Sequence, residues 1–125
     1  MSRRTDRTDV ELLKDIAAAC GKIERYLSGV ERNAFLEDEQ KQDAVIRQVA
    51  VIGEAAGRLS PDCRTRHPGQ PWRQMANMRN ILVHDYTSVS IDRVWRTASG
   101  FVPQLTAALP DIVAQEEARL GDHGR

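Results

Sequence analysis

The stretch Arg79-Asn80-Ile81-Leu82-Val83-His84-Asp85-Tyr86 concentrates side chains suited to chemistry on a phosphate. A guanidinium brings paired N–H donors and a permanent positive charge, and imidazole titrates near neutrality and can move protons. In a helix each residue turns the chain by about 100°. Arg79 and Tyr86 then nearly superimpose on one face, while Asn80 and His84, at i and i+4, share an adjoining one. Arg79 and His84 diverge by about 140° on an ideal helix. They meet at one phosphate only if the helix loosens near His84 or a second chain completes the site. Structural roles compete with chemistry here. A histidine at a helix end can cap carbonyls and favour the negative end of the dipole. An exposed arginine is commonly solvated, and an asparagine near a helix end commonly caps it.

Other familiar sites are missing. There is no Gly-rich phosphate loop or dinucleotide fingerprint, and Gly53 and Gly57 lie inside a helical pattern, where they read as packing positions. Cys63 and His67 have metal-ligand types at close spacing, yet no second Cys/His pair completes a tetrahedral set, so no metal site is expected. Cys20 reads as a core residue and Cys63 as a loop residue. No cofactor is implied.

The elements that must position the motif are helical. Leu13, Ile16, Cys20, Ile23 and Leu27 form one stripe at spacings of three and four, with Thr8 and Glu11 in the form of a capping box and Gly29 as the stop. Phe35 falls in a short connection and plugs the core from a loop. A second helix is expected from Asp38 to about Leu59, carrying Val45, Val49, Ile52, Ala56 and Leu59 inward. Gly53 and Gly57 bare a strip of backbone on it for close packing, and Ser60-Pro61 stops it. Asp62–Pro71 reads as a loop. A third helix starts at Trp72 with Met75, Met78 and Leu82 inward, and a fourth near Ser90 with Ile91, Val94, Trp95 and Ala98. Gly100 and Pro103 should bend or break the fourth. A last segment runs from about Pro103 to Leu120 with a second bend at Pro110, and Gly121–Arg125 is expected to fray. No alternating strand pattern, hairpin dipeptide or repeat occurs. The expectation is one all-α bundle of four to five helices spanning residues 1–125, with an ordered core over about 9–120.

Composition narrows the class. With 125 residues, 41% apolar and 29% charged, the chain fits one core of an ordinary globular domain. Eighteen basic and eighteen acidic side chains cancel, so a protein that coats polyanions through net charge is disfavoured. The balance is uneven along the chain, however. Residues 64–96 carry +4, from six arginines against Asp85 and Asp92, and residues 37–63 carry −3. Such a basic stretch can recruit phosphates over about one Debye length. Solvated helix faces are also often charged unevenly. No apolar run approaches the roughly 20 residues of a membrane span, Met1–Val10 lacks a hydrophobic signal core, and two cysteines suit a reducing compartment. A cytoplasmic location is expected.

Arg79-x4-His84-x-Tyr86 resembles the RX4HXY signature of HEPN-domain proteins of the HepT-like toxin family. The likeness extends in order and spacing to Ile52-Gly53-Glu54-Ala55, Pro71-Trp72, Met78-Arg79-Asn80 and Val94-Trp95, covering about Leu12 to Leu109. The resemblance implies a small all-α HEPN-type homodimer acting as a metal-independent ribonuclease toxin, with Arg79 and His84 as catalytic residues. It further implies an MntA-type minimal nucleotidyltransferase antitoxin as partner, which neutralises the toxin by attaching AMP to the motif tyrosine, Tyr86.

Residue chemistry agrees with that implication. RNA can be cut without metal when its own 2′-OH attacks the adjacent phosphate, leaving a cyclic phosphate and a free 5′-OH. The step needs proton transfer, which suits His84, and a cation on the charge-loaded phosphorane, which suits Arg79. Asn80 can orient the phosphate or His84. One histidine does not readily serve as base and acid in the same step, whereas a two-fold dimer brings two copies of His84 and Arg79 to one cleft. Two other readings stand beside it. One is a non-catalytic module that binds nucleotide or scaffolds a nucleotidyltransferase, and the other is a purely structural helical dimer.

Overall fold

A computed structural model describes the backbone of residues 2–84 and 90–123, and side chains over 8–78 and 90–121. Among the described residues every regular element is helical. Helix α1 spans Ser2–Leu27 and buries Leu12, Leu13, Ile16, Cys20 and Ile23 along one stripe. It starts upstream of the Thr8–Glu11 pair, which lies inside the helix rather than capping it. No Gly or Pro interrupts residues 2–20, so nothing in the chain stops the helix from extending. At its other end Val30 N–H bonds to the Leu27 carbonyl at 2.9 Å, and Gly29 adopts φ +72°, the left-handed conformation that ends helices.

Phe35 is fully buried, but on a short helix, α2 (Arg32–Leu36), rather than in a loop. Its ring lies tilted against Trp95, with centroids 5.4 Å apart. Helix α3 spans Glu39–Arg58, as its signals imply. The Asp38 side chain accepts from Lys41 N–H at 3.0 Å, and Leu59 closes the helix. Val45, Val49, Ile52 and Ala56 are buried. The expected loop after it holds another short helix, α4 (Pro61–Arg66). Ser60-Pro61 both stops α3 and starts α4, because the Ser60 hydroxyl accepts from Cys63 N–H at 3.1 Å and proline suits the first helical position.

Helix α5 (Trp72–His84) carries the motif and packs on α3. A Cβ placed at Gly57 would lie 3.4 Å from the Ala76 Cβ, so the bare position on α3 is where α5 approaches closely. Helix α6 (Ile91–Arg96) begins at Ser90, whose side chain accepts from Arg93 N–H. Gly100 and Pro103 do not break the helical course of the chain. Thr97–Phe101 forms a π-helical turn that leads directly into α7 (Val102–His123). Pro103 falls where the π-helical turn passes into α7, just after Val102, whose N–H bonds to the Thr97 carbonyl. The helix continues through Pro110 and past Gly121, where the sequence predicts fraying. Helix α1 packs against both α3 and α7, which places α3 between α1 and the motif helix. The core is formed by Leu13, Ile16, Ile23, Phe35, Val45, Met75, Leu105 and Leu109. Among the described residues no helix is long and apolar enough to cross a membrane.

Candidate functional site

The motif helix is anchored at its N-terminal half. Trp72 and Met75 are buried, and Met78 is half-buried against the core. Arg79, Asn80 and His84 occupy the final turns of α5, with the backbone helical through His84. Their side chains, and Tyr86 altogether, lie outside the described residues. The backbone geometry still bears on how they are arranged. Position 79 follows Trp72 by seven residues and shares its side of the helix axis. Position 84 lies about 180° around the axis from the buried Met75, with position 80 next to it. An α-helix that holds through His84 does not bring positions 79 and 84 together within one chain.

The basic stretch is partly neutralised by residues from elsewhere in the fold. Arg66 is engaged by Glu116 of α7, with Nε to Oε2 at 2.9 Å and Nη2 to Oε1 at 2.7 Å. Asp92, an acid of the stretch itself, pairs with Arg96 at 3.3 Å and also accepts from Arg32 of α2 at 2.7 and 2.9 Å, which adds a cation there. The Arg32 hydrogen bonds hold the Asp92 carboxyl below its ordinary pKa. Arg73 and Arg93 remain exposed.

A buried polar cluster lies at the base of α5. Glu116 is 1% exposed and His67, which caps the C-terminal end of α4, is 8% exposed. His67 Nε2 lies 2.7 Å from Glu116 Oε2, and Arg119 Nε lies 3.5 Å from Oε1. Burial alone would raise the Glu116 pKa, yet hydrogen bonds from Arg66 and His67 outweigh it and leave the group below its usual value. Close by, the Asp9 carboxylate accepts from Ser60 N–H at 2.8 Å and from its hydroxyl at 2.6 Å.

Cys63, His67 and Glu116 bring ligand-type atoms within 4.8 Å of one another, a grouping invisible at sequence level because Glu116 is 49 residues from His67. Both Glu116 oxygens are already taken by Arg66 and His67, with a second guanidinium alongside. That donor set fits a carboxylate bound by cations of the chain itself rather than a metal centre. Nor does the cluster suit nucleophilic catalysis. Burial, followed by the charges of Glu116 and Asp9, pushes the Cys63 thiol up to about 12, and burial pushes Cys20 up to about 11. Both are free, buried thiols.

The all-helical fold, with Arg79, Asn80 and His84 on α5, places the chain in the HEPN class. Within that class the chain belongs to the Ribonuclease HepT-like family, whose model matches residues 16–112. It is 38% identical over 99 residues to "Probable ribonuclease HepT" of Thermococcus cleftensis, covering 79% of this chain and 90% of that one. It is 30% identical over 93 residues to "Putative RNase MJ1380" of Methanocaldococcus jannaschii, covering 74% and 85%. A relative in Caldanaerobacter subterraneus subsp. tengcongensis, "Putative RNase TTE0752", is 28% identical over 111 residues, covering 89% and 99%. No solved structure matches.

Proposed function

We propose that this member of a ribonuclease family is the toxin of a toxin–antitoxin pair and cleaves RNA internally without a metal ion. The observation that carries the reading is the motif's place: Arg79, Asn80 and His84 all lie on α5, inside a family match that spans most of the chain. His84 removes the proton from the 2′-OH as it attacks the neighbouring phosphorus. The 5′-oxygen leaves with a proton, and a 2′,3′-cyclic phosphate remains. Arg79 balances the charge of the phosphorane, and Asn80 orients the phosphate. The divergence of positions 79 and 84 on an unbroken helix supports a homodimer, in which two copies of α5 share one cleft. One His84 then acts as base and the other as acid.

Tyr86 is the regulatory position. An MntA-type nucleotidyltransferase transfers AMP from ATP to its hydroxyl, with pyrophosphate leaving. The added phosphodiester places about one negative charge near Arg79 and a nucleoside in the path of RNA. The reading is tested by incubating purified protein with RNA in EDTA and analysing the new ends. Cleavage with cyclic-phosphate ends is expected, falling about 10²–10³-fold in Arg79→Ala and His84→Ala while both unfold near the wild-type temperature. Wild-type turnover in His84→Ala, or a requirement for added Mg²⁺, would contradict it. Nucleotide binding lost in Arg79→Ala without any cleavage would favour a scaffold role instead.

A further inference from the structure

Helix α5 is tied to the rest of the bundle at its first residue by a short polar strut. The Trp72 indole N–H donates to the His67 carbonyl at 2.9 Å, and Gln70 N–H reaches the same oxygen at 3.3 Å. The His67 ring is in turn held by Glu116 of α7 at 2.7 Å, and Arg66 grips both Glu116 oxygens. An ionised carboxylate only accepts, so the imidazole Nε2 carries the hydrogen. His67 thus links the two through different groups, its ring to α7 and its backbone carbonyl to the start of α5. A buried ion cluster adds little stability over apolar residues of equal volume, and its best-attested use is to fix one geometry.

Geometry makes the start of α5 a sensitive place. The helix has a second support lower down, where Ala76 sits against Gly57 of α3. Position 84 lies about 12 Å along the axis from Ala76. A tilt of about 5° about that support displaces it by roughly 1 Å, and a misplacement of about 1 Å can lower a rate about 10²-fold.

We propose, resting on the ribonuclease reading above, that His67 is a positioning residue. Its hydrogen bond to Glu116 holds the 67–72 turn and so sets the tilt at which α5 presents Arg79, Asn80 and His84 to RNA. The residue is enclosed and does not touch substrate.

The test compares His67→Ala and His67→Gln with wild type by cleavage kinetics in EDTA, thermal unfolding and the ¹H–¹⁵N indole resonance of Trp72. In folded His67→Ala the indole resonance shifts and kcat falls at least tenfold with KM little changed. His67→Gln places a side-chain N–H toward the same carboxylate, so kcat returns to within threefold of wild type. Ile16→Val, a core change on α1 away from the strut, lowers the thermal midpoint yet keeps wild-type kcat. Where His67→Ala does not fold, Trp72→Phe cuts the strut at its other end and lowers kcat similarly. Wild-type kcat in folded His67→Ala or Trp72→Phe overturns the proposal, as do equal losses in the Ala and Gln variants. If wild type cleaves no RNA, the ribonuclease reading fails separately. The strut is then read by amide hydrogen exchange over residues 79–84, and an unchanged pattern in the His67 variants overturns it.

Discussion

Tyr86 and Glu116 show how differently a polar side chain can matter in this molecule. Tyr86→Phe keeps the ring and removes only the hydroxyl oxygen, the AMP acceptor in the proposed regulation. The variant should retain much of its ribonuclease activity yet escape inactivation by the antitoxin and ATP. Intact-mass measurement checks this, and neutralisation of Tyr86→Phe with AMP found elsewhere would count against the assignment. Glu116 acts through protonation. Its folded-state pKa lies below the ordinary 4.5, so the carboxylate's stabilising contribution is full above about pH 4.5 and is lost as pH falls through the lower folded value. Urea unfolding at pH 7 and pH 4 should show a steeper acid loss in wild type than in Glu116→Gln. Equal slopes would mean that other carboxylates carry the acid response.

At the scale of elements, local signals were legible where one residue does one job. Asp38 starts α3, Ser60-Pro61 stops it, Gly29 turns the chain after α1, and Ser90 starts α6. Signals with two meanings were not. Ser60-Pro61 also opens α4, which at six residues is too short to show an amphipathic stripe, and α2 at five residues is shorter still. Gly100 and Pro103 read as a break because a π-helical turn leaves no pattern in composition. The spacing of the motif implied one helix carrying Arg79, Asn80 and His84, and α5 carries all three positions. The Glu116 cluster was not legible, because its partners come from α4 and α7, and only the folded chain brings them together. Ser60 offers a direct check, since its hydroxyl both caps α4 and donates to the buried Asp9. Ser60→Ala should lower stability by about 1.5–5 kcal/mol in chemical denaturation, the combined range for a lost cap and an under-satisfied buried carboxylate. A change under about 0.3 kcal/mol would mean that solvent replaces both bonds.

For the whole molecule, the segment with the largest sequence charge does not present all of it. Arg66 faces inward to Glu116, while Arg32 of α2 joins Arg96 around Asp92 and brings a further cation to that end of the segment. With formal net charge zero, the proposed RNA capture would rest on particular arginines at the motif helix rather than on a long-range field. In the proposed dimer a shared cleft would concentrate those groups, with two copies of Arg79 and His84 acting on one phosphate. The most direct test is the cleavage rate in EDTA of dimers co-expressed from wild-type and His84→Ala chains in known proportion. If both copies of His84 serve one cleft, mixed dimers are inactive and a one-to-one mixture retains about one quarter of wild-type activity, since random pairing leaves about that share of dimers fully wild type. Retention of about one half, in linear proportion to wild-type chain, would show that each chain cleaves on its own and would contradict the shared site.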